Sequence, residues 1–380
     1  MKNLVVIAFL SAILAVCSAG SAFPASPPVS SLDQDEKMLW SRAEDEQKKI
    51  ARSGLIYEDE KVTTYLNSVL TKLLPEDGVS GIKPKVIVLR SRHMNAFAFP
   101  DGTIYIHSCM LALMDNEAQL AVLLGHEITH SINRHAVKEY RNMKSKASFL
   151  ASLTVVGAWV GAGLFGAVGT LAAVTGYSRE LETEADMEGL GMIVRAGYDP
   201  RESVAFFSLM EAEAKEENLK ESFFFGSHPR MQERKENCEA FLKSGVKNSG
   251  SVNREVFAEA IRDVVLDSAW LELKAGRFKA ARAMAEKYRD ARSADPKAYY
   301  VLGEIFRQRA EKGDAETAKE NYMTAISLDE SCGEAYRALG LMSLKLKENE
   351  NARRYFGEYL ARSPNAKDRA YIEQYLKELK

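Results

Sequence analysis

The chain has 380 residues, 46% of them apolar and 27% charged, with a formal net charge of −2. Its length allows two domains or more, and its composition is that of an ordinary soluble globular protein. The balanced charge leaves no basic footprint, which argues against nucleic acid or other polyanions as partners.

The N-terminus reads MKNLVVIAFLSAILAVCSAGSAFPAS. Lys2 opens it, an apolar run from Leu4 to Val16 follows, and small residues lead to Ala22. The run is too short for an ordinary membrane span, so residues 1–22 read as a secretory signal. Leu14-Ala15-Val16-Cys17 loosely resembles a lipoprotein cleavage box, which would anchor the chain at Cys17; the bulky Val16 fits that box poorly. Beyond the signal three cysteines remain, Cys109, Cys238 and Cys332. An odd number without C-x-x-C spacing gives neither a disulfide framework nor a cysteine zinc knuckle.

After a Pro/Ser-rich leader, Leu32 to Leu74 reads as helix in two pieces, broken at Ser53-Gly54. Lys85 to Leu89 and Ala96 to Ile106 read as strands, the second carrying the turn signal Phe99-Pro100-Asp101-Gly102-Thr103. Leu111 to Val137 predicts one helix with a polar start at Asp115-Asn116-Glu117 and apolar positions at Leu120, Leu123, Leu124 and Ile128. Ala147 to Ser178 carries no charge for 32 residues and is interrupted by six glycines. Arg179 to Ala196 reads as helix, Phe223 to Arg234 as a loop entering another, and Ser244 to Asn253 as a linker. From Ile261 a pattern repeats. Ala298-Tyr299-x-x-Leu302-Gly303-x-x-Phe306 with Ala318 and Ala325 is matched by Ala335-Tyr336-x-x-Leu339-Gly340 with Ala352 and Phe356. A weaker copy has Ala269, Gly276 and Ala281. These are the small and large positions of tetratricopeptide helix pairs. Such repeats stack into a concave surface suited to a protein partner.

GHEITHSINRH at 125–135 carries the chemistry. His126 and His130 stand four apart, so a helix puts both imidazoles on one face, within reach of one cation. Glu127 lies beside them as a base for water. His135 follows His130 by five residues, and on a continuous helix it points about 140° away. The pattern that recruits a third histidine nearby has a glycine where Asn133 stands and its histidine one residue later. His135 therefore reads as a neighbour of the ligands or as packing. The remaining ligand is sought in Tyr177-Ser178-Arg179-Glu180-Leu181-Glu182-Thr183-Glu184-Ala185-Asp186. Glu182 and Asp186 share a helical face, one to bind metal and the other to hold an imidazole N–H. Glu184 points elsewhere on the helix, Glu180 is the rival, and spacing alone does not choose.

Asn95-Ala96-Phe97-Ala98, Gly102-Thr103-Ile104-Tyr105, the HEITH box, Arg134-His135, Ser178-Arg179-x-x-Glu182-x-x-Ala185-Asp186 and His228-Pro229-x-x-x-x-Arg234 occur in that order. Over about residues 35–240 the chain resembles the zinc metallopeptidases of the prenyl-protein and HtpX-like family. Its repeat tail is similar to that of a periplasmic group acting in β-barrel assembly. The resemblance implies a mainly α fold with a small β-sheet, an α+β gluzincin-type domain at 32–243. A linker and connecting helix at 244–260 and a tetratricopeptide-repeat solenoid at 261–380 would follow. It implies one Zn²⁺ per chain, with Glu182 as third ligand beside His126 and His130, and Asp186, His135 and Arg234 around them. Residues 95–98 would form an edge strand that pairs with substrate backbone. His228 would either donate to the oxyanion or fill the fourth zinc position and hold the enzyme off. Expected partners are protein or peptide substrates, with outer-membrane assembly machinery at the repeats, and the expected location is the periplasm. A chaperone or scaffold with a latent protease domain is the rival reading.

If both histidines, before 147–178, and Glu182, after it, bind one zinc, a single span is excluded. A straight helix of that length would run about 48 Å. A hairpin, a re-entrant loop and a pair of buried helices all remain. The favoured reading is a folded-back helical flap over the site, with contact to a membrane surface or to the repeats.

Overall fold

A computed structural model describes residues 32–79, 81–144, 177–216, 228, 230–245 and 249–379. The signal segment with Cys17, and 147–176 of the uncharged stretch, lie outside the described residues. The chain divides into two units at Ile261 and Arg262. Helices dominate, with one small sheet in the first unit. Among the described residues no helix is long and apolar enough to cross a membrane.

The first unit opens with α1 (Gln34–Arg52) and α2 (Glu60–Leu73). Asp33 and Glu36 form a capping box on α1, and Gly54, at φ 71°, follows its end at the expected break. Strands β1 (Lys85–Leu89), β2 (Ala96–Ala98) and β3 (Thr103–His107) form a sheet in the order β1-β3-β2. The segment read as strand at 96–106, with its turn signal at 99–103, is a hairpin. The Asp101 side chain accepts from the Thr103 N–H at 3.0 Å, and Gly102 takes φ 87° to complete the turn. Strand β2 runs antiparallel to β3 and lies at the sheet's edge. Asn95 and Phe99 bond across to β3 through His107 N–H and Thr103 C=O. The antiparallel alternation then turns the backbone N–H and C=O of Ala96 and Ala98 outward, away from β3. Phe97 stacks on Tyr105 at 5.4 Å, and this aromatic face packs with Leu39, Ala43 and Ile50 of α1.

The helix expected over 111–137 is three helices: α3 (Ser108–Leu113), α4 (Glu117–Ile132) and α5 (His135–Lys144). Asn116 starts α4 by accepting from the Gln119 N–H at 2.9 Å, a stronger start than continuing from α3. Asn133 ends it, and Arg134 adopts a left-handed backbone, φ 58°, while its side chain pairs with Glu36 of α1. Every residue of α4 is buried. Then come α6 (Arg179–Arg195), α7 (Glu202–Glu216), α8 (Met231–Lys243) and α9 (Arg254–Ala260).

Glu117 at the head of α4 is a structural hub. Its carboxylate accepts from Tyr65 and Tyr198 hydroxyls, both at 2.6 Å, and from Lys72 Nζ and Asn253 Nδ2 at 3.0 Å. Residues 251–253, within the stretch read as a linker, thereby close onto the first unit; Ser251 also exchanges backbone bonds with Gly197 and Asp199. Burial works to raise the Glu117 carboxyl, but Tyr198, Tyr65, Lys72 and Asn253 outweigh it and hold it below its usual range. Its contribution is therefore present at neutral pH and lost as it protonates in acid. Glu117→Ala strips all four donors of their acceptor and is expected to cost about 3 kcal/mol, read as a lower urea midpoint at unchanged slope.

The second unit holds helix pairs α10 (Arg262–Lys274) and α11 (Phe278–Ala291), α12 (Pro296–Arg309) and α13 (Asp314–Leu328), and α14 (Gly333–Lys345) and α15 (Asn349–Arg362), followed by α16 (Arg369–Glu378). A Cβ on Gly303 or on Gly340 would stand 2.5 Å from the ring of Tyr322 or of Phe356. The repeated glycine thus seats the large side chain of the second helix in each pair.

Candidate metal centre

Helix α4 lies against α6, and the two backbones meet at Gly125 and Gly189. A Cβ on Gly189 would lie 2.9 Å from Gly125 C and His126 N. This close crossing carries the α6 carboxylates to the histidines of α4. Ser178 caps α6 by accepting from the Leu181 N–H, which sets the first turn that bears Glu182.

One donor atom each from His126, His130, Glu182 and His228 lies within 4.8 Å of the others, and all four residues are buried. His126 Nε2 is 3.0 Å from His130 Nε2 and 3.1 Å from His228 Nδ1. Glu182 Oε1 is 3.0 Å from His228 Nδ1 and 3.6 Å from His130 Nε2. Glu180, its rival by spacing, is exposed and outside this cluster. Glu127 is buried, with its Oε1 free of hydrogen bonds among the described residues and 3.5 Å from His228 Nε2.

The neighbours of the cluster are as specific. Asp186 Oδ1 sits 2.9 Å from His126 Nδ1. Arg234 holds Asp186 with Nε and Nη2 at 2.6 to 3.2 Å, lies over the Phe207 ring, and brings Nη1 to 3.3 Å from Glu182 Oε2. His135 is outside the four converging donors, but it does not point away. The left-handed Arg134 ends α4 and returns the chain, so His135 Nδ1 lies 2.8 Å from His130 Nδ1. Tyr177, which opens the stretch searched for the third ligand but was given no role there, stacks on the His130 ring at 4.0 Å. Asn95 is buried beside the edge strand Ala96-Phe97-Ala98.

These residues fit a divalent metal. Burial drives the ionisation of His126 and His130 well below the ordinary histidine range, leaving the neutral rings that ligation requires. Burial would raise the Glu182 carboxyl, but His228 and Arg234 outweigh it and keep it below its usual range. Burial would lower His228, but Glu182 and Glu127 outweigh it and draw the ring toward its charged form. Two buried carboxylates thus call for positive charge at the point where four donors converge. The donor separations bracket the edge of a tetrahedral zinc site, about 3.3 Å for bonds of 2.0–2.1 Å. Asp186 is placed to accept the Nδ1 proton of His126 and so leave Nε2 free as a donor. Burial pushes the Glu127 carboxyl up to about 7, against the pull of His228 and the Ala98 backbone N–H.

A helix carrying two histidines and a glutamate, crossed by a second helix that supplies a carboxylate, defines a domain of the metallopeptidase class. Residues 60–241 match the profile of peptidase family M48, and residues 266–318 and 309–367 match that of the tetratricopeptide repeat. The chain therefore carries an M48 peptidase domain followed by tetratricopeptide repeats. It is 28% identical over 172 residues to the beta-barrel assembly-enhancing protease of Escherichia coli, covering 43% of this chain and 35% of that protein. It is 31% identical over 160 residues to that of Yersinia pestis, covering 40% and 33%. The mitochondrial metalloendopeptidase OMA1 of Schizosaccharomyces pombe is 27% identical over 180 residues, covering 47% and 53%. The chain thus spans about a third to a half of the length of these relatives.

Proposed function

We propose that the chain is a zinc-dependent metalloendopeptidase that hydrolyses peptide bonds of envelope proteins in the periplasm, in protein quality control or β-barrel assembly. The convergence of His126, His130, Glu182 and His228 beside Glu127 carries this reading. Its peptidase domain is 32–243, with 244–260 as connection and 261–380 as repeats that engage a protein partner. His126, His130 and Glu182 would hold one zinc per chain. The chemistry supplied there is Lewis acidity, which polarises a scissile carbonyl and makes water a nucleophile near neutral pH. Glu127 takes the proton of the attacking water and delivers it to the leaving amine. Ala96 offers an outward N–H and C=O, and Ala98 an outward C=O, to which a substrate strand pairs, fixing its carbonyl beside Glu127. Asp186 and His135 set the rings of His126 and His130, and Arg234 holds Asp186.

For His228 the reading favoured by its place among the donors is the closed one. His228 would join the other three donors in holding the metal and so block the approach of water and substrate to Glu127. The test is casein cleavage and zinc content of purified wild type and His228→Ala. His228→Ala is expected to retain one zinc and cleave at least tenfold faster, with activity abolished by a chelator and restored by zinc. Zinc-free protein, or chelator-resistant cleavage, would defeat the metallopeptidase reading. Lower activity in His228→Ala would make His228 an oxyanion donor instead.

A further inference from the structure

We propose that Glu184 is a positioning residue for the metal centre, acting through His135 to fix the tautomer and ring orientation of His130. The inference rests on His130 being a ligand through Nε2, as proposed above. With Nε2 presenting its lone pair, the proton of the neutral His130 ring resides on Nδ1. That nitrogen is 2.8 Å from His135 Nδ1, so His130 donates and His135 accepts. A neutral His135 that accepts at Nδ1 carries its own proton on Nε2. The group facing Nε2 is the Glu184 carboxylate, with Oε1 at 3.5 Å, an electrostatic contact rather than a formed hydrogen bond. Proton positions are thus set in one direction from the metal outward, from His130 to His135 to Glu184. His135 is fully buried.

The carboxylate at the end of the chain is itself held. Asn133 Nδ2 donates to Glu184 Oε1 at 2.7 Å and Lys138 Nζ lies at 3.3 Å. Asn133 stands at the end of α4, where the three-histidine pattern has its glycine. Here it clamps α6 while Arg134 turns the chain. The two ligand histidines are therefore supported differently. His126 meets a carboxylate directly at Asp186, whereas His130 reaches its carboxylate through a second imidazole, with Tyr177 stacked on its face.

The experiment compares full-length wild type, His135→Ala, His135→Gln and Glu184→Gln. It reads zinc affinity by chelator competition, the visible spectrum of the cobalt(II)-loaded protein, and thermal unfolding of the metal-free protein. His135→Ala is expected to weaken zinc binding by about 10- to 100-fold and to shift the cobalt spectrum. Glutamine at 135 accepts with its carbonyl and donates with its amide, so His135→Gln is expected to recover most of that loss. Glu184→Gln is expected to weaken zinc several-fold and to change metal-free stability little. Unchanged zinc affinity and spectrum in His135→Ala, with only a lower unfolding temperature, would overturn the proposal and leave His135 as packing. So would a His135→Gln protein no better than His135→Ala. Wild type that binds no zinc would overturn it together with the metallopeptidase reading, an outcome distinct from wild type that binds while the variants follow it unchanged.

Discussion

Glu127→Gln is expected to lower peptide hydrolysis by about three orders of magnitude while leaving zinc bound, within the range general-base removal produces. The measurement is casein or peptide turnover in the His228→Ala background, where the basal rate is high enough to show the loss. Glutamine has nearly the same shape and can keep the contacts made by Glu127, including the Ala98 backbone N–H, so the pocket should not collapse. What it cannot do is hold a proton taken from water. The surroundings of Glu127 suit a base, since burial pushes the carboxyl up to about 7, close to where proton capture and release are both efficient. Loss of zinc in Glu127→Gln would assign the residue to the architecture of the site. A rate within tenfold of the parent would remove it from the proton transfer, and an unchanged cellular phenotype would favour a scaffold whose repeats carry the function.

The centre was legible in the sequence where it depends on periodicity. Four residues separate His126 from His130 and Glu182 from Asp186, and a helix turns each interval into a shared face. The repeats were legible for the same reason, since Gly303 and Gly340 recur with Tyr322 and Phe356 as their partners. What stayed hidden depends on where helices stop and meet. Spacing gave Glu180 and Glu182 equal standing, and only the approach of α6 to α4 buries one and exposes the other. His135 was placed by extending α4 through Asn133, but the helix ends there and Arg134 reverses the chain. Glu184 was set aside because it lies on another face of α6; that face meets α5, a helix whose start is His135 itself. A left-handed arginine carries no local signature, because the Glu36 pair that accompanies it comes from nearly a hundred residues earlier.

Gly189→Ala and Gly191→Ala are expected to behave oppositely, although they make the same change two residues apart in α6. Glycine in a helix costs about 0.5–1 kcal/mol relative to alanine, so propensity alone favours both substitutions. At Gly191 the new Cβ meets, among the described residues, only Arg195 Nη1, at 3.3 Å, the far end of a side chain that can move. That variant should be as stable as wild type or gain up to about 1 kcal/mol, with zinc affinity unchanged. At Gly189 the new Cβ falls 2.9 Å from Gly125 C and His126 N, both backbone of α4. Neither can rotate away, so the helices must part. Overpacking of this kind costs about 1–3 kcal/mol, and here it also moves Glu182, two turns toward the N-terminus, relative to His126 and His130. Gly189→Ala should therefore lower the urea midpoint and weaken zinc by at least tenfold, the second effect persisting when the comparison is made under fully folded conditions. Equal behaviour of the two variants would show that the Gly125–Gly189 crossing does not set the ligand geometry. A stability loss without a zinc effect would confine the crossing to packing and leave Glu182 positioned by the first turn of α6 alone.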